Sequence, residues 1–323
     1  MSKEIKKVLV IKLGALGDFV LALAAMKKIR EAHPKAKITL LTTPPFEGLA
    51  KLSPYFNHVE TDGRPGDVGE TLAMIGRIRK ARYDRIYDLQ TNSRTNWYFQ
   101  LLRPFPPQWN GVAVGAQLPQ KGKTRLRMHT LERQADQLRA AGIWPDAPTE
   151  PGSAPPPDLS WILRKHKEPR PVAGAAAPKP YVLFVPGGSA HRPEKRWPVE
   201  YYAQLGSLLK ARGLDVVIIG GPQESAMARH IQKAVGGARD LTGRTDFAQL
   251  AVLGAKAALA VGNDTGPTHL LAAAGAPTIV LFSDASDPDL CGPRGHVAVI
   301  RSPDLQALPV STVASAAMAL LPH

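Results

Sequence analysis

The chain has 323 residues, more than one ordinary hydrophobic core supports, so two domains are expected. Hydrophobic residues make up 44%, which excludes a disordered chain, and the single cysteine, Cys291, excludes an intrachain disulfide and fits a reducing compartment. The net charge of +14 is uneven: residues 1–170 carry +12 and residues 171–323 carry +2, so one half is either built to meet something anionic, whether nucleic acid, an anionic membrane surface or a phosphorylated substrate, or simply carries a solubilising surface.

The opening "MSKEIKKVLVIKLGALGDFVLALAAM" has the basic start and apolar run of a signal peptide. Lys12 and Asp18 interrupt that run, and it continues into "LALAAMKKIREAHP", so it reads as a first strand and helix. A carboxylate in such a run costs free energy unless something satisfies or uses it. No uninterrupted apolar run is long enough to span a bilayer. "KITLLTT" follows as a strand, "GETLAMIGRIRKARY" as a helix, "DRIYDLQ" as a strand with a polar end, and "TRLRMHTLERQADQLRAAGI" as an amphipathic helix. From Trp144 to Pro180 the chain is dense in Pro, Ala and Gly, a linker composition, with "LSWILRKH" as a short helix inside it. The βα pattern restarts at "YVLFVPGG" and runs through "PVEYYAQLGSLLKARG", "LDVVIIGG", "SAMARHIQKAVG", "DFAQLAVLGAK", "AALAVGND", "PTHLLAAAG" and "PTIVLFS". Two such arrays predict an α/β chain of two Rossmann-like domains, residues 1–170 and 171–323, facing a central cleft.

Three loops of the second array have the chemistry of a phosphate and nucleoside site. In "AVGNDTGPTHLLAAAG", Pro267 suits a first helical turn, so Thr265 and Gly266 lie at a helix N-terminus whose free amides and dipole attract an anion; a merely well-capped helix fits equally. "VPGGSAHRPEKRWP" brings two glycines, Ser189 and the cations Arg192, Lys195 and Arg196 to the end of another strand. Loops after parallel strands gather at one sheet edge, so these two can grip one diphosphate. "GGPQE" ends in Glu224, either a ribose contact or a surface acid opening a helix.

Other signals are weak. "GALG" lacks the GxGxxG spacing of a nicotinamide dinucleotide fold. "DPD" at 287–289 matches a metal-binding DxD but sits in a late proline-containing loop, and the nine histidines show no metal-ligand spacing, so no metal site is expected. With 6% aromatic residues and no RNP-like or zinc-finger motif, nucleic acid is not an expected partner.

Taken together, "VLVIKLGALGDFVLALAAMKKIREAHPKAKITLLT", "YDLQTNSRT", "VPGGSAHRPEKRWP" and "NDTGPTHLLAAAGAPTIVLFSDASDP" resemble glycosyltransferase family 9, the bacterial lipopolysaccharide heptosyltransferases, with Thr91 where a glycine is common. The resemblance implies a GT-B fold with an N-terminal acceptor domain and a C-terminal nucleotide-sugar domain. It implies inverting, metal-independent transfer from ADP-heptose to Kdo–lipid A or a first heptose. Rivals are another nucleotide sugar, or a non-catalytic binder of anionic surfaces or nucleic acid. Asp18, at the start of its helix, would be the general base, with a helix cap as its other reading. Lys195 would stabilise the departing diphosphate. Gly188, Ser189, Lys195, Glu224, Asp264, Thr265, Gly266 and His269 would line the donor site, although Asp264 equally suits an Asx-turn and His269 a packed helix position. Gln90, Asn92, Arg94 and Arg133 would meet the acceptor, the arginines by its carboxylates or phosphates. The implied location is cytoplasmic, peripheral on the inner face of the inner membrane, and no cofactor is implied.

Overall fold

The computed structural model describes residues 4–148, 150–165, 180–188 and 191–321. The chain divides into two compact units, Met1–Pro157 and Asp158–His323.

The first unit runs β1 (Lys7–Ile11), α1 (Leu16–Ala32), β2 (Lys37–Leu41), α2 (Glu47–Leu52), β3 (His58–Glu60), α3 (Val68–Ala81), β4 (Arg85–Asp88), α4 (Ser93–Leu102), β5 (Gln108–Gly111), β6 (Leu118–Pro119) and α5 (Thr130–Ala140). Its strands are all parallel in the order β3-β2-β1-β4-β5-β6. "VLVI" is buried throughout because helices cover both faces of a parallel sheet. On one face Leu9, Ile11, Ile86 and Trp109 pack with Ile75 and Ile78 of α3 and Phe99 and Leu102 of α4. Elsewhere Leu21 of α1 packs on Leu131 of α5 and on Ala154.

The second unit runs α6 (Ser160–Lys165), β7 (Tyr181–Val185), α7 (Val199–Ala211), β8 (Asp215–Ile218), α8 (Ser225–Val235), β9 (Arg239–Asp240), α9 (Phe247–Lys256), β10 (Leu259–Asn263), α10 (Gly266–Ala273), β11 (Thr278–Phe282), α11 (Pro288–Cys291), β12 (Val297–Arg301) and α12 (Val310–Leu320). It repeats the architecture, with parallel order β12-β11-β10-β7-β8-β9. Val182, Phe184, Val216, Ile218 and Val261 form its core with Tyr202, Leu205 and Ile231.

Each sheet reverses direction beside its first strand, at β1/β4 and at β7/β10. Such switch points hold ligands at the carboxyl ends of the strands, and the loops singled out in the sequence lie there. The boundary expected at 170/171 lies outside the described residues; the two compact units divide at Pro157/Asp158, with Leu159, Trp161 and Ile162 buried and α6 packed on α9. One expectation changes. The helix expected from Thr124 begins only at Thr130, since Lys123–Arg127 winds into a separate 3-10 turn after Gly122, whose φ is 98°.

Candidate active site

In the second unit the loops after β7, β8 and β10 enclose a cavity of about 500 Å³. Gly187, Gly188, Arg192, Lys195, Glu224, Asp264, Thr265 and Gly266 all line it. The loops are tied together by Asn263, a fully buried side chain that sequence reasoning passed over. Its Nδ2 donates to the carbonyls of Pro186 and Gly187 at 2.9 and 3.0 Å, and its Oδ1 accepts from the Trp197 amide and the Tyr202 hydroxyl. The β7 and β10 loops therefore hold one spacing before any ligand arrives.

Lys195 donates to Asp264 Oδ2 at 2.8 Å, Ser286 donates to the same oxygen at 2.7 Å, and His269 Nε2 lies 3.3 Å from Oδ1. Burial raises the Asp264 carboxyl, but the hydrogen bonds from His269, Lys195 and Ser286 outweigh it and hold the group below the usual carboxylate range. Asp264 is therefore not an Asx-turn residue; it anchors the lysine. His269 is buried, with Nδ1 unpartnered among the described residues. An ammonium held through one proton keeps two for the cavity, and α10 offers its first-turn amides beside it, with Thr265 as an N-cap whose side chain caps nothing.

Glu224 is 5% exposed. A Cβ on Gly187 would lie 2.5 Å from Glu224 Cγ, and one on Gly220 would lie 3.1 Å from Glu224 Cβ, so both glycines exist to let this side chain fold against the backbone. The Glu224 side chain lines the cavity, while its Oε2, itself shut off from solvent, has no hydrogen-bond partner among the described residues. An unpaired buried acceptor is costly and invites a donor pair such as a diol. Arg192 and Arg196 are turned to loop carbonyls, Ala285 and Gly188 respectively. Ser189 lies outside the described residues.

In the first unit Asp18 is half-buried at the third position of α1, and its Oδ2 accepts from the Ala15 amide at 3.3 Å. It does cap its helix, and among the described residues its other oxygen has no partner. Lys12, 4% exposed, reaches the Leu89 carbonyl at 3.4 Å. Burial lowers its pKa, opposed by the attraction of Asp18 and Asp88. Asp88 is fully buried at the end of β4; burial raises its pKa to about 6 although the Thr91 and Gln90 amides donate to it. Neither Lys12 nor Asp88 was recognised as a site residue, because each looks like the ragged end of an apolar strand.

The structure gives the four acceptor candidates different placements. Gln90 accepts from the Leu13 amide at 2.9 Å and so fixes the loop that leads into α1, on which Asp18 sits. Asn92 caps α4 through the Thr95 amide. Arg94 is exposed in the first turn of α4, and Arg133 on α5 donates to Thr130 Oγ1 at 3.0 Å and lies within electrostatic reach of Lys12. In the "DPD" stretch, Asp287 and Asp289 both pair with Arg301, at 3.0 and 2.8 Å.

The family model for glycosyltransferase family 9 (heptosyltransferase) matches residues 71–317. Lipopolysaccharide heptosyltransferase 2 of Escherichia coli K12 is 24% identical over 319 residues, covering 91% of this chain and 88% of the relative. The solved E. coli ADP-heptose lps heptosyltransferase II superposes with TM-score 0.78 at 23% identity, over 97% of this chain and 98% of that one. E. coli heptosyltransferase WaaC with ADP gives 0.75 at 20% identity, over 97% and 99%. The fold is thus the GT-B fold that the resemblance implied.

Proposed function

The chain belongs to glycosyltransferase family 9 and is a glycosyltransferase, and from that premise we propose that it transfers L-glycero-D-manno-heptose from ADP-heptose to the lipopolysaccharide inner core. One observation carries the donor reading. A single cavity holds an unpaired buried acid, Glu224, together with an anchored ammonium, Lys195, and a helix N-terminus at Thr265–Gly266. The acid suits a ribose diol; the cation and amides suit a diphosphate. The names of the relatives supply the base and the sugar. The second unit is then the donor domain and the first the acceptor domain.

In the reaction, an acceptor hydroxyl oxygen attacks the anomeric carbon of the sugar as the carbon–oxygen bond to the diphosphate breaks. The configuration inverts, and the hydroxyl proton passes to Asp18, whose free oxygen is available to receive it. Negative charge develops on the departing ADP, where Lys195 and the α10 amides stabilise it without a metal. Arg94 and Arg133 meet the carboxylates and phosphates of the core, with Gln90 and Asn92 holding the loops beside them. The acceptor is presented at the cytoplasmic face of an anionic membrane, to which the enzyme binds peripherally.

The test offers ADP-heptose and several UDP-sugars to lipid A precursors with and without Kdo, in EDTA, and reads products by mass. Heptose addition from the ADP donor in EDTA is expected. Transfer from a UDP-sugar alone, or a strict magnesium requirement, overturns this reading.

A further inference from the structure

Six of the eight exposed large apolar side chains among the described residues lie in the first unit: Val68, Leu72, Trp97, Phe105, Val114 and Leu126. Four of these share one place. In a parallel sheet every loop that follows a strand starts at the carboxyl edge. Val68 and Leu72 occupy the first two turns of α3, which follows β3. Trp97 lies in the first half of α4, which follows β4 and packs beside α3. Leu126 sits on the 3-10 turn that follows β6. Asp18 stands on the same edge, after β1.

Trp97 is 67% exposed, Val68 74%, Leu126 64% and Leu72 57%, an arrangement that a chain finished at its surface does not need. Around them the exposed charges are mainly basic: Arg64, Arg94, Lys121, Lys123 and Arg127. The acids nearby are engaged locally, Asp62 with Arg77, Asp67 as the cap of α3, and Glu70 with the Gly66 amide. Exposed apolar side chains, one of them an indole, on an edge whose exposed charges are mainly basic match the interface of an anionic bilayer, where indole and aliphatic groups enter the headgroup layer and Lys and Arg meet lipid phosphates.

We propose that the carboxyl edge of the first unit docks on an anionic lipid bilayer through Trp97, Leu72, Val68 and Leu126, with Lys121, Lys123 and Arg127 on the headgroups. This rests on the acceptor reading above and gives it a surface: the edge that carries Asp18 is the one that meets the lipid. Among the described residues no helix is long and apolar enough to cross a membrane.

Phe105 supplies the internal control. It is 92% exposed but lies between the end of α4 and the start of β5, at the opposite, amino edge of the sheet. The experiment measures co-sedimentation of the full chain with vesicles of phosphatidylcholine, alone or mixed with phosphatidylglycerol, both free of lipopolysaccharide. Wild type binds the mixed vesicles and is released by salt. Trp97→Ala and Leu72→Ser weaken partitioning at least about fivefold, Lys123→Ala weakens it about fivefold, and Phe105→Ser leaves it unchanged. No preference for anionic vesicles, full retention by Trp97→Ala, or loss only in Phe105→Ser overturns the proposal. ADP affinity, measured on each variant, shows that the protein is folded. Transfer to an acceptor fragment stripped of acyl chains separates the two readings: its absence sinks the function, and its survival with vesicle binding absent sinks only the docking surface.

Discussion

Each sheet sets a carboxylate at the carboxyl end of the strand across its switch point, and the two are treated in opposite ways. In the second unit Asp264 follows β10 and receives Lys195, Ser286 and His269, which keep it ionised well below its ordinary range. In the first unit Asp88 closes β4, where burial pushes it up to about 6. Two backbone amides hold its Oδ1, while Oδ2 has no hydrogen-bond partner among the described residues; the Thr95 side chain lies close enough to favour the ionised form. The second unit thus holds its charges paired before any ligand is bound, as suits a site that meets an anion. The first unit leaves its acid, pushed up to about 6 by burial, close to changing protonation, beside a buried Lys12 whose pKa burial lowers, as suits a place where a proton moves.

The sharpest way to break this contrast is Asp18→Asn. If the first unit does the proton chemistry, kcat falls by about 10²–10⁴, while ADP affinity in calorimetry is unchanged. The amide keeps an acceptor for the Ala15 N–H, so stability changes by about 1 kcal/mol or less. A large loss of stability with near-normal turnover of the folded fraction would leave Asp18 as a cap alone.

Asp264→Asn attacks the other side. Removing the partner of Lys195 costs about 3 kcal/mol of stability at neutral pH, the low end for a broken buried pair because the lysine side chain is 15% exposed. ADP affinity falls with it. The folded pKa is depressed, so this stability is present above the unfolded carboxylate pKa and is lost as pH falls toward the folded one. Denaturant unfolding of wild type and variant should therefore converge in acid; a gap that widens in acid would contradict the geometry.

Asp88→Asn carries the opposite sign. The folded pKa is raised from 3.8 to about 6, so between those values the folded state holds a proton that the unfolded state releases. Stability from this group falls as pH rises through that window, and above it the penalty is complete, at most about 3 kcal/mol. Asparagine should stabilise the protein at pH 8 and give no gain near pH 4, read as the shift in urea midpoint. Equal effects at both values would show that Asp88 is not held near neutrality.

Much of this layout was legible in the chain. Apolar runs such as "KKVLVIKL" and "LDVVIIGG" marked interior strands, and Gly–Pro punctuation placed the Lys195, Glu224 and Thr265 loops at strand ends. What escaped was short or long-range. "QWNG" and "RD" pair on the outer part of a sheet with too few residues to show a period, and "SRTNWYFQLL" hides a helix behind polar and aromatic positions. Asn263 and Ser286 act only across the fold, on residues 77 and 22 positions away, so no local pattern announces them. Thr91 is intermediate: its place where a glycine is common was visible, and the reason was not. Its φ is 47°, the left-handed region.

That residue gives the smallest effect and a test by sign alone. A β-branched side chain at positive φ is strained, and Thr91 is held there by the loop whose amides serve Asp88, with its hydroxyl accepting from Arg125 at 3.3 Å. Replacing it with alanine or glycine removes that hydroxyl in both cases, so the lost bond cancels when the two variants are compared. At an ordinary position glycine is the less stable of the pair by about 0.5–1 kcal/mol, because the unfolded chain gains freedom. At left-handed φ the Cβ costs about 1–2 kcal/mol, which glycine does not incur. Thr91→Gly should therefore unfold at a higher urea concentration than Thr91→Ala, by a margin of about 1 kcal/mol or less. The reverse order would mean that the loop relaxes when the hydroxyl is gone, and that the amides of Gln90 and Thr91 are not held in place for Asp88 by the backbone turn itself.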